Sequence, residues 1–519
     1  MKNKIVKFLK KYWFIIAILI ISLARFLFTY KLPSFYLSNM NYDDRLMINQ
    51  TISLLNGRYL GRFGYDTLIK GPIFPFLLFL IKLYKLNHSC AFTFLYILSC
   101  LFFINSLKSI IKDKKYLLLI YLILLFNPVT YSQDLFQRLY RNSISIIEFL
   151  FFFGCVIIIL FNKNKKFYHY LLYGLSLSFM FLTREDNIWV YPTILFVICY
   201  NIIKGKKIKN IIYNFIPIIL LIGSLNLISF INYKQYGIYT YNEIQKSEFH
   251  NTYKKILQIK DDEKIHQVAI PKSTFYKLAD NTKTFNFTHE EIDRFYKEYA
   301  DESGEIYNGN IIWYFRLLTY NKNKFKNGKE SENYYKKLSK EIDEAFKNGN
   351  LEKEFTMPSS FMAVPTINDI KETFINCFYT IWYTTSYKNI KTMTSTKKLG
   401  YNRFLCTYRF IYIDYHHTVD IVKRNPLQYE LIRIMYYSLT IVFSIVSLLI
   451  YLKNILKLDI ISIISHILIV CYLLIIGGVS YTHVTSFHAI RPLYLGNIYI
   501  IQNNFILINL YRLKKVKKY

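Results

Sequence analysis

The sequence predicts an all-α polytopic membrane protein of about ten transmembrane helices, with an interfacial helix in the first outer loop and a mainly helical extracytoplasmic domain. Three observations predict it. Hydrophobic residues make up 53 % of the 519-residue chain and charged residues only 19 %, against roughly 45–50 % and about 25 % in soluble globular proteins. The apolar residues come in blocks of about 20, the length that crosses a bilayer as a helix. The formal charge of +32 gathers as lysines at the ends of those blocks, where the positive-inside bias places them. That placement argues against nucleic acid as a partner, and the composition excludes disordered, collagen-like and disulfide-scaffold classes.

The first block, Tyr12 to Tyr30, follows Lys2, Lys4, Lys7, Lys10 and Lys11 with no small-residue cleavage site after it. It is expected to be an uncleaved anchor with a cytoplasmic N-terminus. Further blocks lie at 91–111, 116–132, 143–161, 167–183, 187–203, 211–231, 432–451, 459–479 and 493–511. Alternation of these spans leaves Lys112–Lys115, Asn162–Lys166, Lys204–Asn210, Lys453–Lys457 and the tail Arg512–Tyr519 in the cytoplasm. All five are lysine-rich, as translocation bias requires. The run Ile73 to Tyr84 is apolar too, but it is short, Pro72, Pro75 and Lys82 interrupt it, and as a span it would invert every loop. An interfacial or re-entrant helix on the outer leaflet is expected there.

Three outer segments follow: Lys31–Cys90, Ser132–Asn142, and Asn232 to about Glu430. The chain therefore divides into a membrane module at 1–231, an extracytoplasmic domain at 232–431 and a second membrane module at 432–519. Charged and aromatic residues alternate in the domain as in helices, for example over Glu291–Tyr299, and Phe374–Tyr387 with Trp382 reads as an interfacial helix. Cys90, Cys100, Cys155, Cys199 and Cys471 lie in or beside apolar blocks, whereas Cys377 and Cys406 fall in the polar segment. Those two could pair in an oxidising compartment.

Charged residues at the outer ends of the spans are the candidates for chemistry. Asp43 and Asp44 stand side by side just past the first span. A solvated loop start or a helix cap explains one of them. A raised proton affinity, near apolar surface and beside a like charge, suits the pair to general-base work. In the second outer loop Arg138 and Arg141 would share a helical face, suited to clamping phosphate, unless Asp134 takes Arg138 as an intrahelical ion pair. Arg184, Glu185 and Asp186 are pinned between two apolar blocks, where desolvation is costly without partners. The last outer loop holds His483, His488 and Arg491; the five-residue histidine spacing is a poor match to helical metal ligation. His416 and His417 read as surface residues.

The first loop runs from Asp43-Asp44 through Gly57-Arg58-Tyr59-Leu60 to Lys70-Gly71-Pro72 ahead of the apolar run. This order resembles the first loop of the GT-C membrane glycosyltransferases, notably the lipid A aminoarabinose transferases and protein O-mannosyltransferases, over roughly residues 10–200. Asp43 falls on the family's catalytic Asp, Asp44 on its Glu, Lys70 on its basic residue and Pro72 on its second proline; Gly71 departs from the first. The resemblance implies an inverting transferase that takes a sugar from a polyprenyl-phosphate donor on the outer side of the cell membrane and gives it to a glycan, lipid or protein hydroxyl. Asp43, with Asp44, would supply the base, while Arg138, Arg141, Arg184, Arg491 and Lys70 would hold the donor phosphate. Asp134, Glu185, Asp186 and His483 would contact acceptor or sugar, and both termini would be cytoplasmic. No Gly-rich nucleotide loop is present, as suits a lipid-linked donor. The carboxylates are hard ligands fit for magnesium or manganese, but the resemblance to the aminoarabinose group implies no metal and no other cofactor. The alternatives are a polysaccharide polymerase or ligase of the O-antigen type, relying on arginines, and a lipid-oligosaccharide flippase, which should carry charges at mid-membrane.

Overall fold

The computed structural model of the chain describes residues 2–30, 32–37, 43–204, 208–264, 267–356, 365–395 and 425–516. Among them the regular structure is helical, apart from isolated bridges at Phe35–Arg138 and Ile259–Lys353. In chain order the helices are α1 (Lys2–Thr29), α2 (Asp43–Leu55), α3 (Ile73–Leu83), α4 (His88–Leu107), α5 (Lys114–Leu125), α6 (Asn142–Phe161), α7 (Phe167–Thr183), α8 (Tyr191–Lys204), α9 (Ile208–Tyr213) and α10 (Ile216–Tyr236). The polar segment contributes α11 (Glu248–Leu257), α12 (Lys272–Asn281), α13 (His289–Tyr299), α14 (Asn308–Asn323), α15 (Gly328–Lys347) and α16 (Ile367–Thr385). The chain closes with α17 (Pro426–Lys453), α18 (Ile460–Thr485) and α19 (Pro492–Val516).

Among the described residues seven helices are long and apolar enough to cross a membrane, or eight if the bent pair Lys114–Leu125 and Pro128–Gln137 is one span. Every block expected to span is helical, yet two fall short of that standard on length or hydropathy. Helix α7 has 17 residues. Helix α19 carries Gln502, Asn503, Asn504 and Asn509 along its buried middle. Protein rather than lipid surrounds these amides, so they find partners: Asn503 Nδ2 donates to Tyr387 Oη at 2.8 Å and Gln502 Nε2 to Thr385 Oγ1 at 2.9 Å. The block expected at 116–132 is broken because Pro128 has no N–H to continue the helix. Asn127 caps the next turn by accepting from Val129 N at 3.1 Å, and the axis bends by 46°.

The bundle has two distinct ends. At one, Lys514 pairs with Asp113 at 2.6 Å and Arg512 with Asp459 at 2.5 Å, which brings the 112–115 and 453–459 loops to the C-terminal tail. Lys165 reaches Asn201 at 3.0 Å in the same lysine-rich layer. At the other end lie α2, α3 and the loops at 132–142, 183–187 and 485–492. Helix α3, with 11 residues, spans about 16 Å, roughly half the hydrocarbon thickness, and it packs against α2 and α7.

Helices α11 to α15 build a second core around Phe249, Tyr253, Phe275, Ile292, Phe315 and Leu338, and Leu60, Phe63 and Leu68 of the first loop insert into it. That core ends at Leu351, well before residue 431. Helix α16, which contains the expected interfacial segment Phe374–Tyr387 up to Thr385, packs along α18, with Thr380 Oγ1 3.0 Å from Ser480 Oγ. Its Tyr383 packs on the membrane core, while Phe374, Phe378 and Trp382 face outward. Cys406, His416 and His417 lie outside the described residues.

Candidate functional site

Helix α2 begins at Asp43, so both carboxylates sit in its first turn, where the positive end of the helix dipole favours them. Their side chains then diverge. Asp44 is fully buried and accepts a two-pronged bond from Arg138, Nε to Oδ2 at 2.8 Å and Nη2 to Oδ1 at 2.6 Å, and a further bond from Leu37 N at 3.0 Å. Asp43 Oδ2 accepts from Tyr140 Oη at 2.8 Å and stands 3.2 Å from Lys70 Nζ.

Lys70 is the hub of the cluster. Its ammonium lies 4.0 Å from Glu185 Oε1 as well as beside Asp43, and 4.7 Å from the ring centre of Trp313. Gly71 explains how it gets there. A Cβ at residue 71 would stand 1.7 Å from the carbonyl oxygen of Leu182, so only glycine lets the first loop press onto the end of α7. A proline there, as in the resembling families, would collide with that backbone.

Arg141 precedes α6 and donates to Glu185 through Nη1 at 2.5 Å and Nη2 at 3.2 Å, with a further bond from Nη1 to Thr183 O at 3.2 Å. Its buried Nε has no hydrogen-bond partner among the described residues. Arg184 turns to Asp186, donating from Nε to Oδ1 at 2.9 Å and from Nη2 to Oδ2. Asp43, Asp44, Lys70, Arg138, Arg141, Arg184, Glu185 and Asp186 thus form one connected patch at one end of the bundle. Two details differ from expectation. Residues 133–137 form a widened π turn and Arg138 is extended, so Arg138 and Arg141 do not share a helical face and bind different carboxylates. Asp134, four residues before Arg138, is not its hydrogen-bond partner; Asp44 is.

The electrostatics also separate the two aspartates. Burial pushes the Asp44 carboxyl above its ordinary value despite Arg138 and the Leu37 amide. At Asp43 burial pulls the same way, but Lys70 and Arg141, with the Tyr140 hydroxyl, overcome it and hold the carboxyl below its ordinary value. The expected rise in proton affinity therefore fails at Asp43, because cations sit closer to it than its acidic neighbour can offset.

Asp134, His483 and Arg491 belong to a neighbouring group. Arg491 is close enough to influence both Asp134 and His483 electrostatically. The His483 ring lies 5.3 Å from that of His488. Tyr494, at the start of α19, lies in the field of Asp43, Arg138, Arg141 and Arg184 and so borders the main patch. The polar segment closes over this side: Gln267 Nε2 donates to Val484 O at 2.7 Å and Asn308 Nδ2 to Thr485 O at 2.8 Å.

A cavity of about 460 Å³ opens beside Asp43, between α2, the 65–66 turn, the end of α13 and the face of α14. Among the described residues no group of three or more His, Cys, Asp or Glu side chains is arranged to hold a metal ion. Sequence reasoning missed several participants. Tyr140 and Trp313 touch the central residues but stand in a chain with 48 tyrosines and four tryptophans, where composition hides them. Glu148 and Arg25 carried a readable signal, since an ionisable group inside a span is rarely idle. Thr183 Oγ1 donates to Glu148 Oε1 at 2.5 Å, and Arg25 Nη2 to Thr130 O at 2.9 Å. Both lie near the site end of their helices, about 6 Å from the end of α1 for Arg25 and about 9 Å into α6 for Glu148. Comparison with protein-family models, curated proteins and solved structures finds no match.

Proposed function

We propose that this chain is an integral membrane glycosyltransferase of the inner or plasma membrane. It moves a sugar, with inversion, from a polyprenyl-phosphate donor to a hydroxyl of a glycan, lipid or protein acceptor on the outer face. In this reading all ten helical blocks span, both termini are cytoplasmic, and the polar segment with the first loop forms an outer domain. The observation that carries it is the gathering of Asp43, Lys70, Tyr140, Arg141 and Glu185 beside a cavity at the end of the bundle opposite the lysine-rich loops.

Asp43 is ionised at neutral pH, as a base must be before it acts. The acceptor oxygen attacks the anomeric carbon, the bond from that carbon to the phosphate oxygen breaks, and the acceptor proton passes to Asp43 as the new bond forms. Lys70 and Arg141 supply positive charge to offset the charge that develops on the departing lipid phosphate. Arg184 adds to this field, and Asp44 with Arg138 holds the start of α2 in place. Asp134, His483 and Arg491, the neighbouring group, serve as acceptor or donor contacts in this reading. An apolar groove of about 420 Å³ between α3, α4, α6 and α7, with Glu148 in its lining, fits the donor's hydrocarbon chain.

The test is mass spectrometry of surface glycans and glycoproteins from cells that carry Asp43→Asn in place of the wild-type chain. Loss of a general base lowers transfer by about 10²–10⁴-fold, so one glycan should disappear from the surface. One observation favours a second reading: with Lys70 and Arg141 holding its carboxyl low, Asp43 is a weak base. In an arginine-based polymerase or ligase, Asp43→Asn retains activity while Arg141→Gln loses it, and that outcome overturns the transferase mechanism.

A further inference from the structure

We infer that the cavity beside Asp43 is a saccharide subsite, and that the acceptor presented to Asp43 is an oligosaccharide rather than a peptide or a lipid. The inference rests on the transferase reading for its chemistry and on the cavity walls for its ligand. Tyr65, Tyr299, Trp313 and Tyr314 line the space, each of them only part-buried, with faces or edges left to a ligand. The rings of Tyr299 and Tyr314 stand 4.7 Å apart and tilt by 42°, which makes a curved aromatic wall rather than a closed stack. Polar groups alternate with the rings: the amides of Asn49 and Asn310, the carboxylates of Asp43, Asp66 and Glu298, and the guanidinium of Arg45.

A pyranose ring matches that pattern. Its C–H face rests on the electron-rich face of an aromatic ring, while its hydroxyls, each a donor and an acceptor, meet amides and carboxylates at the edge. The volume of about 460 Å³ falls in the range of roughly 300–1,000 Å³ typical of small-molecule sites. A lipid chain finds little here, since Leu46 and Leu317 are the aliphatic residues in the wall; the apolar groove lies elsewhere, against α3. An extended peptide would need an open sheet edge or a groove with spaced apolar pockets, and the walls offer neither. Asp43 lines the cavity as well as the Lys70 cluster, so a sugar hydroxyl bound here is already beside the base. Trp313 joins the two regions, with its ring 4.7 Å from the Lys70 ammonium.

The test uses the full chain in lipid nanodiscs free of sugar detergents. The probes are an array of hexose, N-acetylhexosamine and uronic-acid oligosaccharides, a set of unglycosylated peptides, and hexose 1-phosphate as competitor. Wild-type protein should bind at least one oligosaccharide class above the peptides. Tyr299→Ala and Tyr314→Ala should each weaken that binding by up to about tenfold, the scale of one lost aromatic contact. Tyr299→Phe and Tyr314→Phe, which keep the ring, should restore most of it and guard against misfolding as the cause. Binding to peptides alone, no oligosaccharide binding, or binding indifferent to both alanine variants overturns the inference. So does displacement by hexose 1-phosphate, which would assign the cavity to the donor sugar. The two proposals fail separately. Saccharide binding in a protein whose Asp43→Asn variant leaves surface glycans intact sinks the transferase and spares the subsite; the reverse pattern sinks the subsite alone.

Discussion

At the scale of single residues, the site is governed by which cation each carboxylate meets. Lys70 stands 3.2 Å from Asp43 and is the first charge holding that carboxyl below its ordinary value of 3.8. A carboxyl depressed in this way contributes stability above its unfolded value and loses it only as pH falls through the lower folded value. Lys70→Met leaves the burial and removes the largest opposing charge, so the Asp43 carboxyl rises. The acid limb of the pH profile of kcat/KM should then move to higher pH, and a limb that stays in place would exclude Lys70 as its determinant. Asp44 and Arg138 behave as a buried pair. Asp44→Asn or Arg138→Gln alone should cost about 3–5 kcal/mol by leaving an unmatched buried partner, and the double variant much less than the sum; denaturation of the four proteins of the cycle checks this. Charge at the span ends was legible because ionisable groups there stand out against apolar blocks. Pairing was not: Asp134 and Arg138 have helical spacing, but the π turn at 133–137 breaks the register that spacing assumes.

At the scale of elements, the first loop works by contact with α7 rather than through its own helices. Gly71 has no Cβ to strike Leu182 O, and this close approach sets Lys70 between Asp43 and Glu185. Gly71→Ala forces the two backbones apart, so transfer should fall together with the thermal midpoint. A variant active at wild-type level would show that the approach is not needed. The same loop is tied to the polar segment by Arg316, which donates from Nη2 to Glu243 Oε2 at 2.7 Å and from Nε to Tyr65 O at 2.5 Å, with both charged side chains buried. Neither residue carried a signal in the sequence, since a lone Arg and a lone Glu 73 residues apart look like surface. Apolar blocks announced the long apolar helices well, seven or eight of which among the described residues have the length and hydropathy that a bilayer demands of one segment. They did not show the contacts of α16, whose threonines reach the buried Ser480 and Gln502; such pairing is invisible when the partners lie about 100 residues away in sequence.

At the scale of the whole molecule, charge sorts the chain into two ends. The lysine-rich layer at 112–115, 453–459 and 512–514 is tied together by Asp113–Lys514 and Asp459–Arg512, while the site patch and the second core occupy the other end. Lysine placement at a membrane follows translocation, so the proposed function puts the lysine-rich end in the cytoplasm and the site on the outer face. The proposed donor depends on that orientation, because a lipid-linked donor is needed where nucleotide sugars are absent. Cysteines introduced one at a time, in a background with the seven native cysteines replaced, read it directly. Lys337→Cys on the exposed face of α15 and Lys457→Cys in the lysine-rich loop are the two probes. A membrane-impermeant maleimide on intact cells or spheroplasts should label position 337 and spare 457 until the membrane is opened. Labelling at 457 with protection at 337 would place Asp43, Lys70 and Arg141 in the cytoplasm, on the side where nucleotide sugars are available, and would remove the physical case for a polyprenyl-phosphate donor.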